Sequence, residues 1–161
     1  MGREVTFAEN EFIVSKTDLD GKIAYGNKKF IDISGYCEKE LLGAPHNILR
    51  HSDMPKTIFK LLWETVQKGN EIVAFVKNRT KGDDYYWVEA HVTPSFDDDG
   101  RIIGYHSVRR KPKQTSVDFF DKFYKELNSI EGRGGVNAGM KHLQDILNSK
   151  GVTYEQFILT F

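Results

Sequence analysis

The sequence of 161 residues lacks the features that mark secreted, disulfide-bonded or membrane-spanning proteins. Its one cysteine, Cys37, excludes an intramolecular disulfide and any metal site built from several cysteines. Its apolar runs are far shorter than the ~20 residues that a membrane-spanning helix needs. The N-terminus also lacks the apolar core of a signal peptide. We therefore expect a cytoplasmic protein that does not itself insert into a membrane.

The chain has no excess charge of either sign. Its 23 Lys and Arg residues balance 23 Asp and Glu residues, and the balance holds on both sides of residue 112. A surface of this kind produces no broad field to attract nucleic acid or an anionic membrane, so neither is an expected partner. The one basic cluster, Arg109–Lys113, follows a predicted strand, and we expect it to be a solvated strand end.

Common catalytic motifs are missing as well. The sequence contains no P-loop, no Gly-x-Ser-x-Gly elbow, no His-Glu-x-x-His pair and no Gly-x-Gly-x-x-Gly after a strand. We therefore expect a binding or signalling protein and not an enzyme. Aromatic rings, by contrast, are plentiful, with 11 Phe, 7 Tyr and 2 Trp.

Turn residues divide residues 1–112 into two strands, several short helices and three further strands. The turns lie at Asp18–Gly21, Lys81–Asp84 and Asp97–Gly100. Pro55 suits the start of an amphipathic helix, whose apolar stripe is Ile58, Phe59, Leu62, Trp63 and Val66. This order predicts an α+β fold, a five-stranded antiparallel sheet with short helices on one face. The space between helices and sheet is a natural site for a small molecule.

Residues 113–161 have a different pattern and predict a C-terminal helical extension. Two apolar stripes at helical spacing flank Gly132–Gly135, which we expect to be a flexible break. The first stripe begins with Phe119, Phe120 and Phe123. These rings are expected either to pack on the sheet of their own chain or to dock on a partner, for example in a homodimer.

Several short motifs between residues 8 and 112 occur together in this sequence. Ile33–Tyr36 and Glu40–Gly43 are the less specific of these motifs. A more specific set is Arg50, His51, Asp53, Met54 and Pro55, followed by Trp63 and then by Lys77, Asn78 and Arg79. Together these motifs resemble the PAS domain of aerotaxis receptors, with Ser52 departing from the usual proline. The resemblance implies a PAS fold for residues 1–112 and a sensor of redox or respiratory state that holds FAD non-covalently.

The resemblance also implies which residues contact the cofactor. Trp63 would flank the flavin ring, and Asn78 would offer a donor and an acceptor to its polar edge. Arg50 and His51 would meet the pyrophosphate or the ribityl chain, and Asp53 would orient one of them. The structural alternatives are that Trp63 is a core residue and that Arg50 and Asp53 form an ion pair on the surface. Asn78 would then hydrogen-bond a backbone group at the end of a strand.

His46 is the remaining candidate cofactor-binding residue, and it allows a second cofactor as an alternative. Blue-light flavin sensors of this fold carry a reactive cysteine where this chain has His46, so we expect no thiol adduct here. Haem sensors of this fold take an axial histidine from the same region, which His46 or His51 would supply. FAD is therefore the expected cofactor and haem the alternative. A PAS interaction module without cofactor is the third reading.

The expected output lies in another protein. Aerotaxis receptors continue into a membrane anchor, a HAMP segment and a methyl-accepting domain, which these 161 residues do not contain. We expect a stand-alone sensor of a two-protein energy-taxis system, with a piece of a longer receptor as the alternative. Its partner would be a methyl-accepting chemotaxis transducer in a separate chain, which would bring the sensor to the inner membrane peripherally.

Overall fold

Five strands form one antiparallel sheet in the computed structural model, which describes residues 2–161. The strands are β1 (Ile13–Thr17), β2 (Ile23–Gly26), β3 (Ile72–Arg79), β4 (Tyr85–Phe96) and β5 (Ile102–Arg110). Their order across the sheet is β2-β1-β5-β4-β3, so the first and last strands of the chain pair at its centre. The predicted sheet is confirmed.

The helices between β2 and β3 lie on one face of this sheet, as predicted. They are α1 (Lys28–Ser34), α2 (Glu38–Leu41), a 3₁₀ helix (His46–Leu49) and α3 (Lys56–Gln67). Asn27 begins α1 because its side chain accepts a hydrogen bond from the amide of Phe30 at 2.9 Å. Among the described residues, no helix combines the length and the hydrophobicity needed to cross a bilayer.

Alternate residues of β3 and β4 face opposite sides of the sheet. Val76 and Asn78 of β3 face the helices and line a cavity there. Phe75, which precedes Val76, points the other way and stacks on Phe120, with ring centroids 4.7 Å apart. Both faces are therefore largely buried where these strands begin, which explains the consecutive apolar residues at positions 72–76 and 85–88.

The C-terminal extension consists of α4 (Gln114–Lys150) and α5 (Tyr154–Ile158). Gly135 interrupts α4 with φ 78° and ψ −176°, a backbone conformation that favours glycine. The two halves of α4 pack antiparallel, since His142 Nε2 lies 3.4 Å from Glu126 Oε1. The predicted flexible break over Gly132–Gly135 was too wide: the structure narrows it to a kink at Gly135.

The extension packs on its own chain, one of the two alternatives that the sequence left open. Besides the stacking of Phe120 on Phe75, the Tyr124 ring stacks on Trp87 of β4. The hydroxyls of Tyr124 and Tyr154 donate to the backbone carbonyls of Phe75 and Val73. β3 is an edge strand, so these bonds pair carbonyls that the sheet leaves free. The division into domains at residue 112 stays a prediction.

Candidate functional site

A cavity of about 320 Å³ lies between the helices and the inner face of the sheet. One wall is the apolar stripe of α3, namely Phe59, Leu62, Trp63 and Val66. The opposite wall consists of strand residues that include Val76, Ala90 and Val92. The α3 residues share one face of the helix because they are three or four positions apart, and strand residues two positions apart share one face of the sheet. The two faces meet at the cavity.

Four of the six predicted site residues line this cavity: His46, Arg50, Trp63 and Asn78. The fold brings them together from the 3₁₀ helix, the residue that follows it, α3 and β3. Trp63 packs edge to face against Tyr105 of β5 at 5.2 Å between ring centroids. This pair gives the cavity an aromatic wall that a flat apolar ligand can contact.

His51 and Asp53 do not line the cavity and form a cluster with Lys77. Lys77 Nζ lies 2.8 Å from an Asp53 carboxylate oxygen, and this bond lowers the pKa of Asp53. The Asp53 amide donates to His51 Nδ1 at 3.0 Å, while the backbone of His51 bonds to the carbonyl of Lys77. Asp53 therefore pairs with Lys77 and holds His51 through its backbone. Contact of either residue with a cofactor stays a prediction.

Arg109 is a cavity residue that the sequence analysis placed wrongly. Its side chain was expected at a solvated strand end, yet it is 3% exposed and lines the cavity. It donates to Ser15 Oγ at 2.7 Å and to His46 Nε2 at 3.1 Å. The two-residue period of β5 places Arg109 on the face of Tyr105 and Ser107, and that signal identifies it.

The network around Arg109 has a definite protonation state. Burial, followed by the charges of Arg109 and Arg50, lowers the pKa of His46 to about 3. His46 is therefore a neutral imidazole that accepts hydrogen bonds at Nε2. Burial lowers the pKa of Arg109 to about 10, so its guanidinium stays charged at neutral pH. Within the described chain, Arg109 has hydroxyl and imidazole partners but no carboxylate.

Arg50 brings a second guanidinium to the cavity. Its Cζ lies 3.6 Å from the centroid of the Phe59 ring, a cation–π contact, and its backbone bridges to Asn78 at the end of β3. Asn78 itself is buried. The side chain of Arg50 thus lies between the apolar wall and the polar end of the cavity.

Three buried polar atoms at this site lack a hydrogen-bond partner among the described residues: Thr17 Oγ1, Arg50 Nε and Arg109 Nε. All three residues line the cavity. Unpaired buried polar atoms are costly in a folded protein. This cluster therefore favours a polar ligand with acceptors for the arginine donors.

A protein-family model described as the PAS fold matches residues 23–109. The chain is also 40% identical over 133 residues to the aerotaxis receptor of Escherichia coli K12, covering 83% of this chain and 26% of the receptor. It is 30% identical over 87 residues to the biofilm dispersion protein BdlA of Pseudomonas aeruginosa, covering 53% of this chain and 21% of that protein. The chain thus spans about a quarter of these relatives or less.

Solved structures show the same fold. A light-oxygen-voltage domain studied with a flavin analogue superposes with a TM-score of 0.60 at 20% identity, covering 71% of this chain and 86% of that domain. The light-state structure of the Aureochrome1 LOV domain gives 0.58 at 21% identity, covering 76% of this chain and 94% of that one. At these identities the likeness concerns the fold alone.

Proposed function

We propose, from the premise that this chain belongs to the PAS fold family, that it is an energy-taxis sensor that binds FAD in its cavity. It is a PAS sensor related to aerotaxis receptors and signal transducers. The finer proposal is that it relays the redox state of FAD to a methyl-accepting chemotaxis transducer in a separate chain. Similarity to the aerotaxis receptor over most of this chain supports that assignment.

The observation that carries the proposal is the chemistry of the cavity. It combines an aromatic wall at Trp63 and Tyr105 with two guanidinium groups, Arg50 and Arg109. Both arginines keep a buried Nε without a partner in the described chain. A flavin matches both the aromatic wall and the arginine donors, because its flat ring is apolar on its faces and its edge carries hydrogen-bond acceptors. A cavity of about 320 Å³ lies at the low end for ligand pockets, so we assign the ring to it and the remainder to its mouth.

Each lining residue has a role in this proposal. A bound flavin supplies a redox centre whose charge and hydrogen-bonding edge differ between its oxidised and reduced forms. Trp63 packs on the ring, and Asn78 donates to or accepts from the edge. Arg109 stabilises the more negative form, and Ser15 and neutral His46 hold its guanidinium in place. Arg50 provides donors for the phosphate-bearing part.

The relay is proposed to pass through β3. Asn78 faces the cavity, and Phe75 on the same strand faces the extension. A change in the hydrogen bonds of Asn78 would thus bias a strand whose other face contacts Phe120. Such coupling requires that the two redox states interact differently with the strand. The outer surface of the extension and the free part of the sheet then meet the transducer.

Haem fits this geometry less well than flavin does. His46 Nε2 already accepts bonds from Arg109 and Ser15, so iron ligation at that nitrogen would displace both. It would also leave the guanidinium of Arg109 buried with fewer partners, which is costly. His51 does not line the cavity.

The absorption spectrum of the purified full-length chain tests the proposal. We expect flavin bands in the blue, and FAD identified after its release by acid. Trp63→Leu and Arg50→Gln should each lower FAD occupancy, whereas Tyr25→Leu and Arg101→Gln, at exposed positions, should not. A Soret band would identify haem as the cofactor in place of FAD. A colourless protein that takes up neither cofactor would overturn the proposal. Unchanged occupancy in both cavity variants would refute the site.

Transducer binding is tested separately. The FAD-loaded chain is immobilised in its oxidised and its dithionite-reduced form, and purified methyl-accepting transducers of the source organism are passed over it. We expect one transducer to bind one redox form more tightly. Equal binding of both forms, or no binding of either, would refute the relay.

A further inference from the structure

The N-terminus of α3 is capped by a residue 75 positions away in the chain. The residue that precedes the helix, Pro55, has no side-chain acceptor for the free amides of the first turn. Instead, the carboxylate of Glu131 in α4 accepts from the Lys56 amide at 3.1 Å and from the Thr57 amide at 3.0 Å. It also accepts from Thr57 Oγ1 at 2.7 Å. A carboxylate at a helix N-terminus is favoured by the helix dipole as well.

Two further contacts tie the extension to the same place. The side-chain amide of Asn128 donates to the carbonyl of Asp53 at 2.6 Å, in the loop between Arg50 and α3. Gly139, on the second half of α4, lies so close to Thr57 that a Cβ there would fall far inside van der Waals contact with Thr57 Oγ1. Both halves of α4 therefore contact the start of α3, and Thr57 is fully buried between them.

The same helix forms the apolar wall of the cavity. The first turn of α3 bonds to Glu131, and the side chains of Phe59, Trp63 and Val66 one to three turns later line the cavity. The loop that Asn128 holds begins at Arg50, another lining residue. The extension thus holds the middle of the segment that carries Arg50 and Trp63, at Asp53 and at the first turn of α3.

We propose that Glu131 is a positioning residue for the cofactor cavity, coupling docking of the extension to closure of the α3 wall around the ligand. Flavin binding would stabilise the docked extension, and by linkage loss of the Glu131 cap would weaken flavin binding to the extent that it lowers the population of the docked state. The inference rests on the proposed function for the identity of the ligand. Its structural half, that Glu131 holds the start of α3 and the extension together, does not.

The test uses the full chain with Glu131→Gln, and Glu155→Gln in α5 as the matched control. Glu155 is an exposed carboxylate of the extension and lies outside both segments in which exchange is followed. Hydrogen exchange followed by mass spectrometry should show faster exchange over residues 55–60 and 136–150 in Glu131→Gln alone. FAD titration, followed by quenching of flavin fluorescence, should give a Kd raised on the order of five-fold, the worth of a typical cap. In the parent chain, FAD should slow exchange over residues 136–150.

Two further variants separate coupling from general damage. Gly139→Ala keeps every charge but pushes α4 from Thr57, and should reproduce both shifts. Thr57→Val should weaken FAD binding in the parent chain but hardly at all in the Glu131→Gln variant. The reason is that the Thr57 hydroxyl acts through its hydrogen bond to the Glu131 carboxylate, which Glu131→Gln has already altered.

Exchange and affinity in Glu131→Gln that match the Glu155→Gln control would overturn the inference. So would faster exchange with an unchanged Kd, which would make the cap purely structural. If the parent chain binds no FAD at all, the proposed function fails instead. In that case the exchange comparison alone decides whether Glu131 holds α3 and the extension together.

Discussion

The inner face of the sheet and the part of its outer face over β3 and β4 are both covered, but they differ in how their polar groups are paired. On the outer side and the β3 edge, aromatic rings of the extension fill the space, and the Tyr124 and Tyr154 hydroxyls pair the free carbonyls of β3. On the inner side, Arg50 and Arg109 keep donors without partners in the described chain, around a cavity of about 320 Å³. The β3 carbonyls of the outer face are paired within the chain, whereas the inner face keeps donors that the proposed ligand would satisfy.

This contrast separates residues that stabilise the fold from residues that we propose to bind a ligand. Burying an aromatic ring that is well packed lowers the free energy of the folded state, whereas burying an unpaired cation raises it. Substitutions on the two faces should therefore differ in sign as well as in size. The four experiments that follow measure that difference.

Phe120→Ala on the outer face should give the largest loss. The Phe120 side chain is 1% exposed and stacks on Phe75, so truncation leaves a cavity and removes a large apolar contact. The free energy of unfolding should fall by about 4 kcal/mol, measured by urea denaturation. Phe119→Ala, at the neighbouring and 40% exposed position, is the control and should cost far less. Equal losses would mean that the extension does not pack on the sheet as described.

Much of the outer face, and of the fold, could be predicted from sequence. Turn residues delimited the strands, and β4 runs from Tyr85 to Phe96 as the pattern predicts. The phenylalanines of the extension were predicted to form an apolar stripe on a helix. Their alternatives, packing or docking, could not be separated, because a helical stripe does not reveal what covers it.

The inner face was predicted only in part. Trp63 and Asn78 follow from periodicity and resemblance together, and the structure places both at the cavity. Arg109 was missed because its charge was judged as a member of a basic cluster and not by its place in β5. Glu131 was missed because its bond to α3 spans 75 residues, and no local pattern records such a contact.

The pH dependence of stability tests the inner face next. His46 has a pKa of about 3 in the folded chain and an ordinary value near 6.5 when unfolded. The unfolded state therefore binds more protons below pH 6.5, so this stability is complete above pH 6.5 and is lost as the pH falls towards 3. Between pH 7 and pH 5 the free energy of unfolding should drop by roughly 2 kcal/mol from this group.

His46→Gln should remove that part of the slope, and His91→Gln, at a half-exposed ring, should retain it. Urea denaturation of the cofactor-free chain at a series of pH values measures both. A parent-like slope in His46→Gln would show that the imidazole is not held neutral in the cavity.

Arg109→Met should separate binding from stability. Removing a buried guanidinium that has no carboxylate partner should leave the free energy of unfolding of the cofactor-free chain within about 1 kcal/mol of the parent, or raise it. FAD binding should weaken at least about ten-fold, because charge-assisted bonds are lost. Arg101→Met, on an exposed side chain, is the control. A large loss of stability with unchanged FAD affinity would assign Arg109 to the fold and not to the ligand.

Tyr124→Phe should lower the free energy of unfolding less than Phe120→Ala does, and it tests how completely the outer face is paired. The ring stays on Trp87, and only the hydroxyl that donates to the Phe75 carbonyl is lost. A buried carbonyl without a partner costs about 1–3 kcal/mol, so we expect a loss in the lower part of that range and faster amide exchange in β3. Tyr25→Phe, at a half-exposed ring, is the control. If the two variants lose the same amount, water reaches the β3 edge, and the extension covers the sheet by ring packing alone.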